Sequence, residues 1–144
     1  MASDLNYIAT EIQPMKKILN IRFLIAMLVL PSISFAALDI LDSISSALNT
    51  GNVTQLSSYF DSNVDITILD QESTYSKTQA VAVVQNFFST NTVKGFQLLH
   101  RAGSGDGCYG IGNLQTSTQT LRTYFYVKTS GSISVIQELR FEKE

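Results

Sequence analysis

The chain predicts an α+β domain in which three helices pack on one face of a curved antiparallel sheet. Three observations carry this. Apolar residues recur at helical spacing early in the domain, while two-residue alternation fills its second half. A capping signal at Ser76–Gln79 places one helix between two groups of strands. The late strands are joined by short turns containing Gly and Ser, which makes them antiparallel neighbours with one wet face.

The domain is preceded by a leader. Lys16, Lys17 and Arg22 form a basic region, Phe23 to Leu30 is an unbroken apolar run, and Pro31 and Ser32 interrupt it. Ser34 and Ala36 then put small residues at the −3 and −1 positions of a cut before Ala37. This is the three-part pattern of a secretory signal peptide over residues 15–36. The apolar run is far short of the ~20 residues a spanning helix needs. Residues 1–14 are polar, carry Asp4 and Glu11, and precede a second Met. They read as a mis-called upstream extension, with Met15 as the start. The expected product is a single domain over residues 37–144, periplasmic or secreted, with no membrane association after cleavage.

Composition narrows its partners. Of 10 Lys+Arg and 12 Asp+Glu, residues 1–36 hold three and two, leaving seven against ten and a net charge of −3. No basic excess exists to neutralise phosphates, so nucleic acid is not expected as a partner. The single Cys108 excludes an intramolecular disulfide and reads as a small buried apolar group.

The elements follow in order. Leu41, Ile44 and Leu48 give a helix over residues 38–48, ended by Asn49-Thr50-Gly51-Asn52. Val53, Leu56, Tyr59 and Phe60 suggest a second short helix, stopped by Asp61-Ser62-Asn63. Val64 to Leu69 alternates as a strand, Asp70-Gln71-Glu72 turns, and Ser73 to Tyr75 returns briefly. Ser76 and Gln79 form a capping box for a helix with Ala80, Val83, Val84 and Phe87 on its buried face, ending at Thr90-Asn91. Four strands remain: residues 93–102, 108–115, 120–128, and one after Ser130-Gly131 whose core face is expected to carry Ile133, Val135, Leu139 and Phe141. Gly103 to Gly107 reads as a flexible turn, and Gly110 and Gly112 mark close approach or a bulge.

Several short pieces, in order, carry a resemblance. They are Gly51-Asn52, Leu56, Tyr59-Phe60, Val64, Asp70, Tyr75-Ser76-Lys77, Gln79-Ala80, Phe87-Phe88 and Asn91. Later come Phe96, His100, Gly103, Tyr109 to Leu114, Thr116, Arg122, Tyr124-Phe125, Lys128, Ile136, Leu139-Arg140 and Glu142-Lys143. From about residue 39 onward the chain resembles a family of small exported bacterial proteins, domain-of-unknown-function family 4783. The element order resembles the nuclear transport factor 2-like superfamily. The resemblance implies a cone-like fold and a periplasmic or secreted location. It implies no activity, because the cone's hollow in the wider superfamily holds a ligand, an active site or nothing.

Motifs for demanding chemistry are missing from the sequence. Gly103 to Gly107 lacks the Lys-Ser/Thr of a phosphate loop, and one His with one Cys makes no typical zinc set. No G-x-S-x-G elbow accompanies His100. No cofactor is expected. The best catalytic candidates form a polar cluster in an apolar hollow: His100 beside Phe96 and Leu98, with Tyr59, Tyr109 and Asp65 as partners. Against this, a lone His on an apolar face is ordinarily a satisfied core residue, and Asp65 is out of phase with Val64, Ile66 and Ile68. Arg122, Tyr124, Tyr126 and Lys128 form a stripe that is either a solvated face or an interface, since Tyr and Arg are favoured where proteins meet. The expectation is a non-catalytic module of the cell envelope that binds a small apolar or amphipathic ligand, or forms a homodimer through the sheet face. The alternative is a small cofactor-free enzyme, of isomerase or hydratase type, acting through the cluster around His100.

Overall fold

A computed structural model describes residues 36–144. The predicted upstream extension and, Ala36 excepted, the predicted signal peptide lie outside the described residues. The described chain runs α1 (Ala36–Thr50), α2 (Val53–Ser58), β1 (Phe60–Ile68), β2 (Gln71–Ser76), α3 (Lys77–Thr90), β3 (Val93–Ser104), β4 (Gly107–Thr116), β5 (Thr120–Ser130) and β6 (Ile133–Lys143). The strands form one six-stranded sheet in the order β2-β1-β6-β5-β4-β3. The described residues form an α+β fold with three helices and an antiparallel-rich sheet.

The helices begin and end where local chemistry directs. α1 buries Leu41, Ile44, Ala47 and Leu48 on one stripe. Gly51 ends it at φ 62°, and the Gly51 and Asn52 amides donate back to the Leu48 and Ala47 carbonyls. That pair of bonds is a Schellman motif, and a side chain at Gly51 would also meet Val93. Asn52 then caps α2 by accepting from the Gln55 amide. At α3 the expected capping box is present: Ser76 and Gln79 each accept from the other's backbone amide. α3 buries Ala80, Val84, Phe87 and Phe88, and the last two rings pack on Phe141 at centroid distances of 5.2 and 5.7 Å. Each such side chain contributes about 1.5–3 kcal/mol by burial.

Several local expectations change. Phe60 belongs to β1, not to the second helix, and Asp61-Ser62-Asn63 continues the strand. Phe60 is buried opposite Ile136, and the irregular register between Phe60 and Asp65 disguises the alternation. The first hairpin turns at Leu69-Asp70, one residue early, with Leu69 at φ 57°. Gly103 to Gly107 is mostly strand, with Gly105 at φ 64° in a tight turn. Nor is the sheet wholly antiparallel. β1 pairs with β6 in parallel, Ile66 opposite Leu139 and Ile68 opposite Phe141. The long connection through β2, α3 and three strands lets β1 lie beside the last strand in the same direction.

Two bulges decide which face each side chain takes. On β3, Leu98 pairs with Gly112 but His100 pairs with Ile111, so Leu99 is the extra residue. On β6, Val127 pairs with Ile136 but Tyr126 pairs with Glu138, so Gln137 is extra. Each extra residue inverts the in-out order of the strand on its far side. Ile136, Leu139 and Phe141 therefore face the helices, whereas Ile133 and Val135, expected in the core, lie on the opposite face.

The helix-covered face is filled by apolar side chains. Leu56, Val64, Leu114, Leu121, Phe125 and Leu139 are fully buried there. Gly110 and Gly112 make room for rings: a Cβ at Gly110 would lie 2.4 Å from Phe125, and one at Gly112 would lie 2.5 Å from Phe96 and 2.3 Å from the Gln97 carbonyl. Among the described residues only Thr123 has a buried side-chain oxygen without a hydrogen-bond partner. Replacing it by Val keeps the branched shape and removes the desolvated hydroxyl. Thr123→Val is expected to stabilise the domain by about 1–2 kcal/mol in urea denaturation.

Asp61 pins the β6 bulge. It accepts from Gln137 Nε2 at 3.0 Å and from the Ser62 amide at 2.6 Å. Those bonds, Gln137's first, hold its carboxyl below the usual 3.8. A lowered pKa stabilises the fold above the unfolded-state value, and that share is lost as pH falls through the folded value. The midpoint difference between wild type and Asp61→Asn is expected to be larger near pH 6 than near pH 2.5.

Candidate interaction surface

The expected polar cluster does not assemble. The Leu99 bulge turns His100 away from Phe96 and Leu98, so it is exposed on the face without helices. Without the extra residue, alternation would have placed His100 opposite Gly110, facing the core. Arg101 takes that inward phase instead and reaches Asp42 of α1 at 2.9 Å, a pair that is exposed and worth little. Tyr109 is half-buried on the helix-free face, paired with Tyr126. Asp65 is exposed there too, and accepts from Thr74 Oγ1 at 2.5 Å. Tyr59 is the C-cap of α2, packed against the core, and its carbonyl accepts from the Ile136 amide. Three of the four candidates thus share the helix-free face, while Tyr59 lies apart from them. Cys108 is buried, and burial pushes its thiol up.

What the structure does assemble is the helix-free face around the stripe on β5. Tyr124 is half-buried, and its ring lies 5.9 Å from that of Tyr109. The register sets Tyr124 opposite Arg140 of β6, whose guanidinium lies 5.8 Å from the Tyr124 ring centroid. Arg140 is bonded through Nε and Nη2 to Glu138, and Glu142 lies 3.9 Å away. The bond to Glu138 raises the Arg140 pKa, while burial, and then the charge of Glu138, push the Tyr124 phenol up. Tyr126 lies beside them, and Arg122 and Lys128 are exposed at either end.

Exposed apolar side chains also belong to this face. Leu99 and Ile133, 48% and 65% exposed, are the exposed large hydrophobics among the described residues. Both sit on the helix-free side, Leu99 with Ile111 and Ile133 beyond Val135. Arg140, Glu138, Leu99 and Ile133 were not picked out as site residues from the sequence. The alternation of Glu138, Arg140 and Glu142 was legible, but their place beside Tyr124 depends on the Gln137 bulge.

The face is divided by charge. Glu72, Asp65, Glu138 and Glu142 belong to β2, β1 and β6, with Arg140 among them. Arg122 and Lys128 belong to the other half of the sheet, where Glu144 also accepts from Asn113 of β4 at 3.1 Å. The arrangement is an aromatic centre with a cation held beside it by Glu138. A separate cavity of about 280 Å³ lies on the opposite face, between α3 and the β1–β2 hairpin. None of His100, Tyr59, Tyr109 and Asp65 lines it.

Comparison with known proteins places the chain. The family described as Domain of unknown function (DUF4783) matches residues 41–142. No curated protein matches. A crystal structure of a DUF4783 family protein from Bacteroides ovatus is similar at 25% identity, covering 71% of this chain and 93% of that one, with a TM-score of 0.68. A DUF4783 family protein from Bacteroides fragilis is similar at 25% identity, covering 71% and 96%, with a TM-score of 0.67. A putative ketosteroid isomerase from Kribbella flavida shares the fold at 9% identity, covering 72% and 74%, with a TM-score of 0.53. The chain belongs to the DUF4783 family, and its fold is that of the nuclear transport factor 2-like superfamily.

Proposed function

We propose that this protein is an exported, non-catalytic interaction module of the cell envelope, and that its helix-free sheet face pairs with a second copy of itself. The observation that carries the reading is the Tyr109–Tyr124–Arg140 centre on an uncovered face, which also carries exposed Leu99 on β3 and Ile133 at the hairpin end of β6. The signal-peptide pattern over residues 15–36 supports export to the periplasm or beyond.

Charge supports self-pairing. Glu72, Asp65, Glu138 and Glu142 lie on one side of the boundary between β6 and β5, and Arg122 and Lys128 on the other. A two-fold axis along that boundary would lay each acidic half on the partner's basic half, with Tyr124 and Arg140 at the centre. The cone-like reading of the fold is compatible with this. The cone's hollow would be closed by Phe87, Phe125 and Phe141, leaving the outer face as the working surface. An isomerase or hydratase acting through His100 would need that ring enclosed, and here it is open to water.

Light scattering tests the reading. Wild type over residues 37–144 is expected to show twice the monomer mass, falling toward the monomer as salt rises. Tyr124→Glu is expected to weaken association by about 30-fold or more without loss of folding. A wild type that stays monomeric up to about 1 mM would contradict it, on the ordinary affinity scale of weak complexes. His100→Ala is expected to leave folding stability within about 0.5 kcal/mol, the usual range for an exposed site.

A further inference from the structure

We infer a second binding site, at the open edge of the sheet, that takes an extended peptide with alternating apolar and basic residues. Two independent features meet there. The first is the edge itself. β2 is the terminal strand, and Gln71 to Thr74 are all exposed. Its hairpin has a two-residue turn, so Ile68 and Gln71 are the closing hydrogen-bonded pair. Alternation then aims the N–H and C=O groups of Glu72 and Thr74 away from β1, at the open side. Ser76 has the same phase, and its amide is taken by Gln79. The opposite edge is guarded differently: the Phe96 amide of β3 donates to Asn49 of α1 at 2.9 Å. Among the described residues no comparable hydrogen bond covers Glu72 and Thr74, and β2 carries no Pro, Lys or bulge to discourage pairing.

The second feature is the cavity of about 280 Å³ directly under this edge. Ile66, Ile68, Val83 and Phe87 give it an apolar lining, Gln71 and Asn86 supply amides, and among the described residues no charged side chain lines it. On β2 the residues facing the cavity side are Gln71, Ser73 and Tyr75. Ser73, between the two larger ones, leaves a gap. A strand added beside β2 would bond to Glu72 and Thr74 and pass an inward apolar side chain over Ser73 into the cavity. Its outward side chains would meet Glu72 and Asp65, which favours Lys or Arg there. Small molecules alone are served less well, because the unpaired backbone edge would stay unused.

The probe is a synthetic, end-blocked peptide of alternating Lys and Val, titrated into residues 37–144 and followed by amide NMR. Shifts are expected at Glu72, Thr74 and the α3 residues of the cavity. N-methylating the peptide amides that would bond to the edge is expected to weaken binding about tenfold or more on wild-type protein. Thr74→Pro, which blocks the same edge, is expected to match that loss, and a peptide with Glu in place of Lys to bind more weakly. The inference is overturned by no binding up to about 1 mM, by shifts confined to Tyr109 and Tyr124, by indifference to N-methylation, or by β2 shifts that follow protein concentration without peptide.

Discussion

Among the described residues the helices cover one face of a six-stranded sheet and leave the other uncovered, and every side chain's role depends on which face strand phase assigns it. That asymmetry supplies the core. Phe87 and Phe88 from α3 meet Phe141 from β6, and Phe96 meets Phe125 across the space that Gly110 and Gly112 leave open. It also supplies the surface. An extra residue on β3 and another on β6 invert the phase and move His100, Ile133 and Val135 to the uncovered side. Exposing Leu99 and Ile133 forgoes about 1.5–3 kcal/mol of burial apiece. The self-pairing proposed above would recover part of that cost.

Much of this was legible in the sequence because it is local. The Ser76–Gln79 box, the glycine after Thr50 and the apolar stripe of α3 each act within a few residues, so the helices fall close to where spacing put them. The family resemblance held as well. What was not legible is non-local. A bulge leaves no mark in alternation until the partner strand is known, so Phe96, Leu98 and His100 look like one face when they are two. The same blindness hid Phe60 at the head of β1 and the parallel pairing of β1 with β6, since both depend on β6 arriving last.

For the candidate site, the structure distributes the residues differently from the expected cluster. Tyr109, Asp65 and His100 do share a face with Arg122, Tyr124, Tyr126 and Lys128, but it is the outer one, and Tyr59 is not with them. The stripe on β5 was correct in phase because β5 itself is regular between Leu121 and Tyr126. Its meaning changed with Arg140, which converts a row of Tyr into an aromatic centre with a fixed cation.

The most direct measurement of the account is the chemical reactivity of individual tyrosines as protein concentration rises. Tyr109, Tyr124 and Tyr126 sit on the uncovered face, while Tyr59 and Tyr75 lie elsewhere and serve as internal references. If a second copy covers the face, modification of the first three slows with concentration and that of the other two does not. Equal rates for all five at every concentration, or protection of Tyr59 and Tyr75 instead, would contradict the account.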